Sequence, residues 1–376
     1  MEVAVTGIGL ISALGHSLEA TWQRLLAGSS GIKLRQPFAE LPPRPLAQLG
    51  PLPADFQTLT TNALQAAIAD ASLVLPLHHC GVVIGSSRAH QGRWEQLAHP
   101  NNNELDNELD SWLETLPHMA AIHTARHIGT TGPVLAPMAA CATGIWALFR
   151  GWELLQTGEC QQVITGAIEA PITPLTLAGF AKMGALATTG CYPFDIHREG
   201  LALGEGGAIF ILENATLAKQ RGAKIYGKIL GFGLTNDALH GNYSDPEGKS
   251  AKLAIKQCLA ISHLAPTDIH YIHAHGTSTQ LNDKFEADII QQIFPHGVPV
   301  SSTKGATGHT LGASGALGAA FSFMALQQQI LPPCVGLNNP EFELDIITKP
   351  RPCQGENALV FSFGFGGQNA VLAIGR

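Results

Sequence analysis

The sequence predicts an α/β protein whose sheets are covered on both faces, and three observations carry that reading. Short β-branched runs alternate with Ala- and Leu-rich stretches from end to end. The runs are apolar throughout, as in Val82-Val83-Ile84, which suits strands with helices on either side. Charged residues make up 14% of the chain against 45% apolar. Soluble domains usually carry roughly 25% charge, so much of this chain is expected to lie buried between layers or subunits.

Taken in order, the expected strands cover 3–6, 82–84, 163–165, 208–212, 225–230, 269–273, 298–301, 359–362 and 370–374. The first enters a glycine-rich turn beginning at Thr6-Gly7-Ile8-Gly9. The Pro-rich stretch 37–53 reads as a surface loop, and the acidic stretch 101–110 as an exposed loop or helix start. The longest uncharged run, 305–331, is full of Gly, Ala, Ser and Gln and reads as a core helix, not a membrane span. At 376 residues the chain can bury an extensive core. Its best division falls in the turn-rich stretch 242–248, giving halves of 1–245 and 246–376. The halves echo one another. Ala140-Cys141-Ala142-Thr143-Gly144 opens one Ala-rich helix, and Gly305-Ala306-Thr307-Gly308-His309 with the following Leu311-Gly312-Ala313-Ser314-Gly315 opens another, placing a Cys and a His at comparable helix entrances.

Composition excludes several functions. A net charge of −7, from 22 Lys and Arg against 29 Asp and Glu, offers no general attraction to nucleic acid or anionic lipid. Seven cysteines without a CxxC pair fit reduced thiols in a cytoplasm better than a disulfide framework. The N-terminus lacks a signal peptide's basic stretch and cleavage site, so a cytoplasmic location is expected. The segment Thr6 to Ser12 fails as a dinucleotide fingerprint because Ser12 stands where the third glycine belongs. Gly248-Lys249-Ser250 resembles the end of a P-loop, but Tyr243 replaces its first glycine, so a helix start is expected there. Among 16 histidines, His123 and His127 are spaced i to i+4, and His273 and His275 lie two apart on a strand. Neither pair belongs to a zinc motif, and no metal is expected.

Cys141 stands where an apolar run meets an Ala-rich helix, so its sulfur faces unpaired N–H groups and the positive end of the helix dipole. That favours the nucleophilic thiolate. A small buried core thiol is the competing reading of this position, and it is the one adopted for Cys80, Cys160, Cys258 and Cys334. His275, in Ala274-His275-Gly276-Thr277-Ser278-Thr279, ends a strand where α/β sheets present side chains to a crevice. His309 again follows a strand and precedes a helix. A thiol nucleophile with two imidazole donors suits carbon–carbon condensation on an acyl thioester. A Gly-rich turn at Gly364-Phe365-Gly366-Gly367 offers backbone N–H groups for an oxyanion.

In these four motifs and in their order, the chain resembles the β-ketoacyl-acyl carrier protein synthases of the elongating type I/II group, in the thiolase-like superfamily. The resemblance covers nearly the whole sequence. It implies a five-layer αβαβα fold with two pseudo-symmetric halves, a tight dimer and a ping-pong reaction with Cys141 as acyl carrier. His275 and His309 would promote malonyl decarboxylation, and Lys304 would support the site electrostatically. Thr277 and Thr279 would contact the pantetheine arm. The backbone N–H groups of Cys141 and Phe365 would form the oxyanion hole, with Phe365 also acting as the gate. No bound cofactor is implied, since the substrates ride on the phosphopantetheine of acyl carrier protein.

The chain departs from this family's pattern in three places. It is shorter than typical relatives before Cys141. Gly184 and Thr189 stand where fatty-acid enzymes usually carry arginines that meet the carrier, leaving Arg88, Arg93, Arg126 and Lys182 as the basic candidates. Gly318 replaces a carboxylate nine residues after the second histidine, so Asp283 and Glu286 are expected as structural support, with Glu286 reaching Lys304. The implied role is condensation in fatty-acid or specialised polyketide or polyene synthesis. The alternative is an accessory, chain-length-factor-like subunit, with the partner either a second copy or a related chain.

Overall fold

The glycines expected to turn the chain after its first strand lie inside that strand. β1 spans Val3–Ser12, and Gly7 and Gly9 face the helix α1 (Phe56–Asp70). A Cβ on Gly7 would sit 2.6 Å from the Ala67 carbonyl oxygen, and one on Gly9 would sit 1.9 Å from that of Ala63. The glycines therefore permit close helix-on-strand packing. The coordinates are a computed structural model and describe residues 1–98, 112–241 and 245–376. The acidic stretch 101–110 and positions 242–244 of the turn-rich stretch, Tyr243 included, lie outside the described residues.

Eleven strands form one mixed sheet. After β1 come β2 (Gly81–Gly85), β3 (Val134–Leu135), β4 (Gln162–Glu169) and β5 (Gly206–Asn214). They are followed by β6 (Gly227–Asn236), β7 (Tyr271–His273), β8 (Pro299–Ser301), β9 (Asp345–Ile346), β10 (Asn357–Gly364) and β11 (Gln368–Gly375). The order is β9-β8-β7-β10-β11-β6-β1-β5-β4-β2-β3. Outward from the central β6–β1 pair one plan appears twice: β1, β5, β4, β2, β3 on one side and β6, β11, β10, β7, β8 on the other. In each set the second member runs antiparallel to both neighbours, and the remaining pairs are parallel. The sets join through a short antiparallel pairing, Val3 with Ile229 to Val5 with Gly227. The division expected at 245/246 falls beyond β6, whose long pairing is with β11.

Helices separate and cover the two sets. α2 (Met119–Ile128) and α1 lie on the outer face of the first. α3 (Thr143–Gln156) packs on β4 and β2, and α4 (Pro174–Lys182) borders the site. α5 (Lys249–Ile261) covers β6 and β11, with α6 (Gln280–Ile293) beside it. α7 (Ser314–Gln328) touches β10 and β11 on one side and β5 on the other. The layers therefore run αβαβα, with α3 and α7 in the middle. α7 is buried on every side from Ser314 to Leu326, as a helix enclosed by protein must be. Among the described residues no helix is long and apolar enough to cross a membrane. All seven cysteines are free and buried.

The two central helices meet at residues without bulk. A Cβ on Gly144 would lie 2.6 Å from the Ala316 backbone nitrogen and 3.1 Å from its Cβ. Gly144→Val is expected to cost about 1–3 kcal/mol by overpacking, read from urea unfolding. Gly179→Ala in α4, where an added Cβ would meet nothing beyond its own helix within 4 Å, is expected to be neutral or stabilising by up to about 1 kcal/mol.

Candidate active site

Cys141 lies just ahead of α3. Ala140 before it adopts φ +47, a left-handed conformation that turns the chain sharply into the helix. Thr143 Oγ1 holds this turn, accepting from the Ala139 N–H at 2.8 Å and donating to the Ala140 carbonyl at 2.7 Å. The end of β10 closes over it. Ser362 Oγ donates to the Cys141 carbonyl at 2.8 Å, and a Cβ on Gly364 would lie 3.1 Å from the Cys141 backbone nitrogen. The Phe365 N–H reaches the thiol. Burial pushes the Cys141 thiol up to about 11, and the positive charges of Lys304 and Arg88 pull against it. The expected preference for thiolate at a helix entrance thus meets a larger desolvation penalty.

His275 follows β7, and His309 follows the short turn Lys304–Thr307. Both are almost wholly buried. Their rings meet at 5.3 Å between centroids and 82° between planes. The Cys141 sulfur and one nitrogen of each imidazole all lie within 4.8 Å of one another. Lys304, itself buried, donates its ammonium to the His275 carbonyl oxygen and stands 3.4 Å from His275 Nδ1. Burial first, and then the Lys304 charge, hold both imidazoles well below the ordinary histidine value. Each is therefore neutral at physiological pH.

Asp283 and Glu286 share the buried face of α6, as their spacing implies, but their partners differ from expectation. Glu286 does not pair with Lys304. Its two carboxylate oxygens accept from the His275 N–H at 2.5 Å and the Gly276 N–H at 2.7 Å. Asp283 accepts from Phe194 N–H at 2.8 Å and Ser278 N–H at 3.1 Å. Burial raises both carboxyls, Asp283 to about 6. Among the described residues no carboxylate lies within ion-pair distance of Lys304. Three carboxylate oxygens thus pin the backbone of the 275–278 loop, and Ser302 Oγ adds a bond to the Gly276 carbonyl at 2.8 Å.

Arg198 was not singled out in the sequence, where nothing sets it apart from other loop arginines. It is 2% exposed and donates to the carbonyls of Asp195, Gln280 and Thr279 at 3.0, 3.3 and 3.4 Å. It also pairs with Glu341 and approaches Asp283 at 3.9 Å. Arg198 therefore ties the start of α6 to a neighbouring loop.

A cleft of about 630 Å³ leads down to Cys141, His275 and His309. Thr277 and Thr279 line it and share a hydrogen bond of 2.8 Å. Phe365, 37% exposed, stacks on Phe180 at 6.0 Å across the passage. At the rim stand Gly184 and Glu199. Burial works to raise the Glu199 carboxyl, but hydrogen bonds from Thr188 and Thr189 outweigh it and bring it down to about 2. Thr189 thus holds a fixed negative charge at the entrance. Of the basic candidates, Lys182 is exposed at the end of α4, Arg126 pairs with Glu114 at 3.0 Å and Arg88 is half-buried. The Pro-rich stretch is less superficial than expected: Leu46 is fully buried and packs in the cluster that includes Cys141.

Cys141, His275 and His309 have the composition of a three-ligand metal site. The Lys304 ammonium behind His275 opposes a divalent cation there.

Residues 37–218 match the beta-ketoacyl synthase, N-terminal domain, and residues 226–338 its C-terminal domain. The 3-oxoacyl-[acyl-carrier-protein] synthase 2 of Synechocystis sp. (strain ATCC 27184 / PCC 6803 / Kazusa) is 36% identical over 410 residues, covering 99% of this chain and 97% of that protein. A type II polyketide ketosynthase, solved in complex with its acyl-carrier protein and bound to the hexaketide, superposes with a TM-score of 0.90 at 27% identity, covering 100% and 98% of the two chains. The ishigamide ketosynthase/chain length factor superposes at 0.89 with 25% identity over the same shares. The fold is the thiolase-like one of these ketosynthases.

Glu286→Gln leaves one of the two loop N–H groups without its carboxylate acceptor. A loss of about 1–3 kcal/mol in unfolding free energy is expected, together with faster amide exchange at positions 275 and 276.

Proposed function

Because the chain belongs to the β-ketoacyl synthase family, we propose that it is a 3-oxoacyl-[acyl-carrier-protein] synthase that extends a Cys141-bound acyl chain by decarboxylative condensation. The observation carrying this reading is the meeting of one thiol and two neutral imidazoles within 4.8 Å at the foot of a cleft of about 630 Å³.

The Cys141 sulfur attacks the carbonyl carbon of an acyl thioester, the carrier thiol leaves with the proton, and the acyl chain is now on the enzyme. The carbonyl oxygen gains negative charge at this step, and the N–H groups of Cys141 and Phe365 receive it. A malonyl thioester then enters along Thr277 and Thr279. Its thioester oxygen accepts hydrogen bonds from His275 and His309, carbon dioxide leaves, and the electron pair of the broken bond becomes an enolate. The enolate carbon attacks the Cys141 thioester, the sulfur departs as thiolate, and the β-ketoacyl chain remains on the carrier. Neutral imidazoles suit this chemistry because they donate to an oxyanion without needing to surrender charge. Loss of carbon dioxide drives the bond formation, and no bound cofactor is required.

The carrier is an acyl carrier protein, met in the cytoplasm. With Gly184 and Thr189 in place of arginines and the negative charge of Glu199 at the rim, it docks with weaker electrostatic steering than in fatty-acid enzymes. We place the enzyme in a dimer, with a second copy or a related subunit, and its product in fatty-acid or specialised polyketide or polyene synthesis.

Cys141→Ala is expected to abolish condensation, since a methyl group cannot hold the acyl chain. His275→Ala and His309→Ala should retain self-acylation while losing at least 100-fold in malonyl decarboxylation, an effect of the size a positioned donor commonly supplies. Intact-mass spectrometry and released carbon dioxide report the two half-reactions separately. No acyl adduct on Cys141 with any acyl carrier substrate would favour the accessory-subunit reading. Carrier association should weaken as salt is raised from about 50 to 300 mM and respond to substitution of Arg88, Arg93, Arg126 and Lys182, and a binding series insensitive to both would count against docking through these residues.

A further inference from the structure

His273 is not used by this reaction, yet it is the buried neighbour of the groups that are. It ends β7, is 2% exposed, and its Nε2 lies 3.1 Å from Thr303 Oγ1, the side chain just before Lys304. Among the described residues its Nδ1 has no partner from another residue. Across from the ring stands Gly318 on α7. A Cβ at 318 would lie 2.7 Å from both Cε1 and Nδ1 of His273, closer than real side chains approach. The imidazole therefore fills the space that any side chain at 318 would claim. Burial, followed by the Lys304 charge, lowers His273 to about 3, so this filling is uncharged.

We propose that His273 and Gly318 are a matched pair that keeps the middle-layer side of Lys304 free of negative charge, leaving the field of the ammonium to act on Cys141. His273 is a positioning residue: it holds Thr303 at the start of the Lys304 turn and excludes a carboxylate from α7. The charged and titratable groups around this centre are consistent with the arrangement. From α6 come Asp283 and Glu286, both committed to backbone N–H groups. Arg88 and Glu169 act on Cys141 from the ends of β2 and β4, and Cys191 acts on Lys304. His275 and His309 are neutral. α7 itself, SGALGAAFSFMALQQ, brings no charged side chain.

The inference rests on Cys141 being the reactive thiol, and its test reads that thiol without turnover. His273→Asp and His273→Asn are matched in size and differ in charge. Iodoacetamide alkylation of Cys141 at pH 7 to 9, located by peptide mass spectrometry, is expected to be about tenfold slower in the Asp variant than in the Asn variant, the equivalent of one pH unit in thiol ionisation. The Asn variant should stay within about twofold of the parent protein. Equal rates for Asp and Asn would overturn the electrostatic role. Should the Asp variant fail to fold, the steric half decides. Gly318→Ala is expected to lower Tm by several degrees in the parent and to cost nothing in a His273→Ala background, whereas the same cost in both backgrounds would overturn the pairing. Loss of the condensation reading would show as elongation by Cys141→Ala, which neither result here can mimic.

Discussion

The Lys304 ammonium is buried against the His275 carbonyl oxygen, with no carboxylate in ion-pair range among the described residues, and its neighbours answer to that charge. After burial, it is what keeps His275 and His309 neutral, and it draws the Cys141 thiol toward ionisation against the cost of burial. An ammonium in such a place is held by what surrounds it, because desolvation alone would expel its proton. Glu286 and Asp283 supply part of the balance from a distance while they grip the loop that carries His275. The carboxylates thus act on the site twice, through the backbone they fix and through the field they temper.

The repeated strand plan explains why the reactive groups converge. Cys141 enters with α3 from the first set of strands, and the histidines and Lys304 come from loops of the second. They meet because α3 and α7 share the middle layer and cross at Gly144 and Ala316. Small residues there serve the chemistry as well as the packing, since any separation of the two helices moves the thiol away from the imidazoles.

Much of this was legible in the sequence. Cys141, His275, His309 and Lys304 sit in short motifs whose residue types are chemically telling, and the uncharged run 305–331 contains the enclosed helix it implied. The errors came where a residue's role depends on a distant partner. Gly7 and Gly9 look like a turn because nothing local reveals that α1 will lie across them. Glu286 looked like a mate for Lys304 because both are charged, but two peptide N–H groups at the end of β7 claim its oxygens first. Arg198 and His273 carry no local signal, since their importance lies in carbonyls and in an empty Cβ position far away in the chain. The helix entrance at Cys141 was visible, while the depth of its burial was not.

The neutral imidazoles bear on how long an acylated enzyme survives. A general base must become a cation as it takes a proton from water, and its strength follows the stability of that cation. Beside Lys304, and with almost no solvent to share the charge, neither His275 nor His309 can form an imidazolium readily. The side chains that can stabilise a carbon nucleophile are therefore poor at activating an oxygen one. In the proposed reaction a thioester on Cys141 would be shielded from hydrolysis by the weak basicity of its neighbours as well as by burial, and would wait for its second substrate without being spent on solvent.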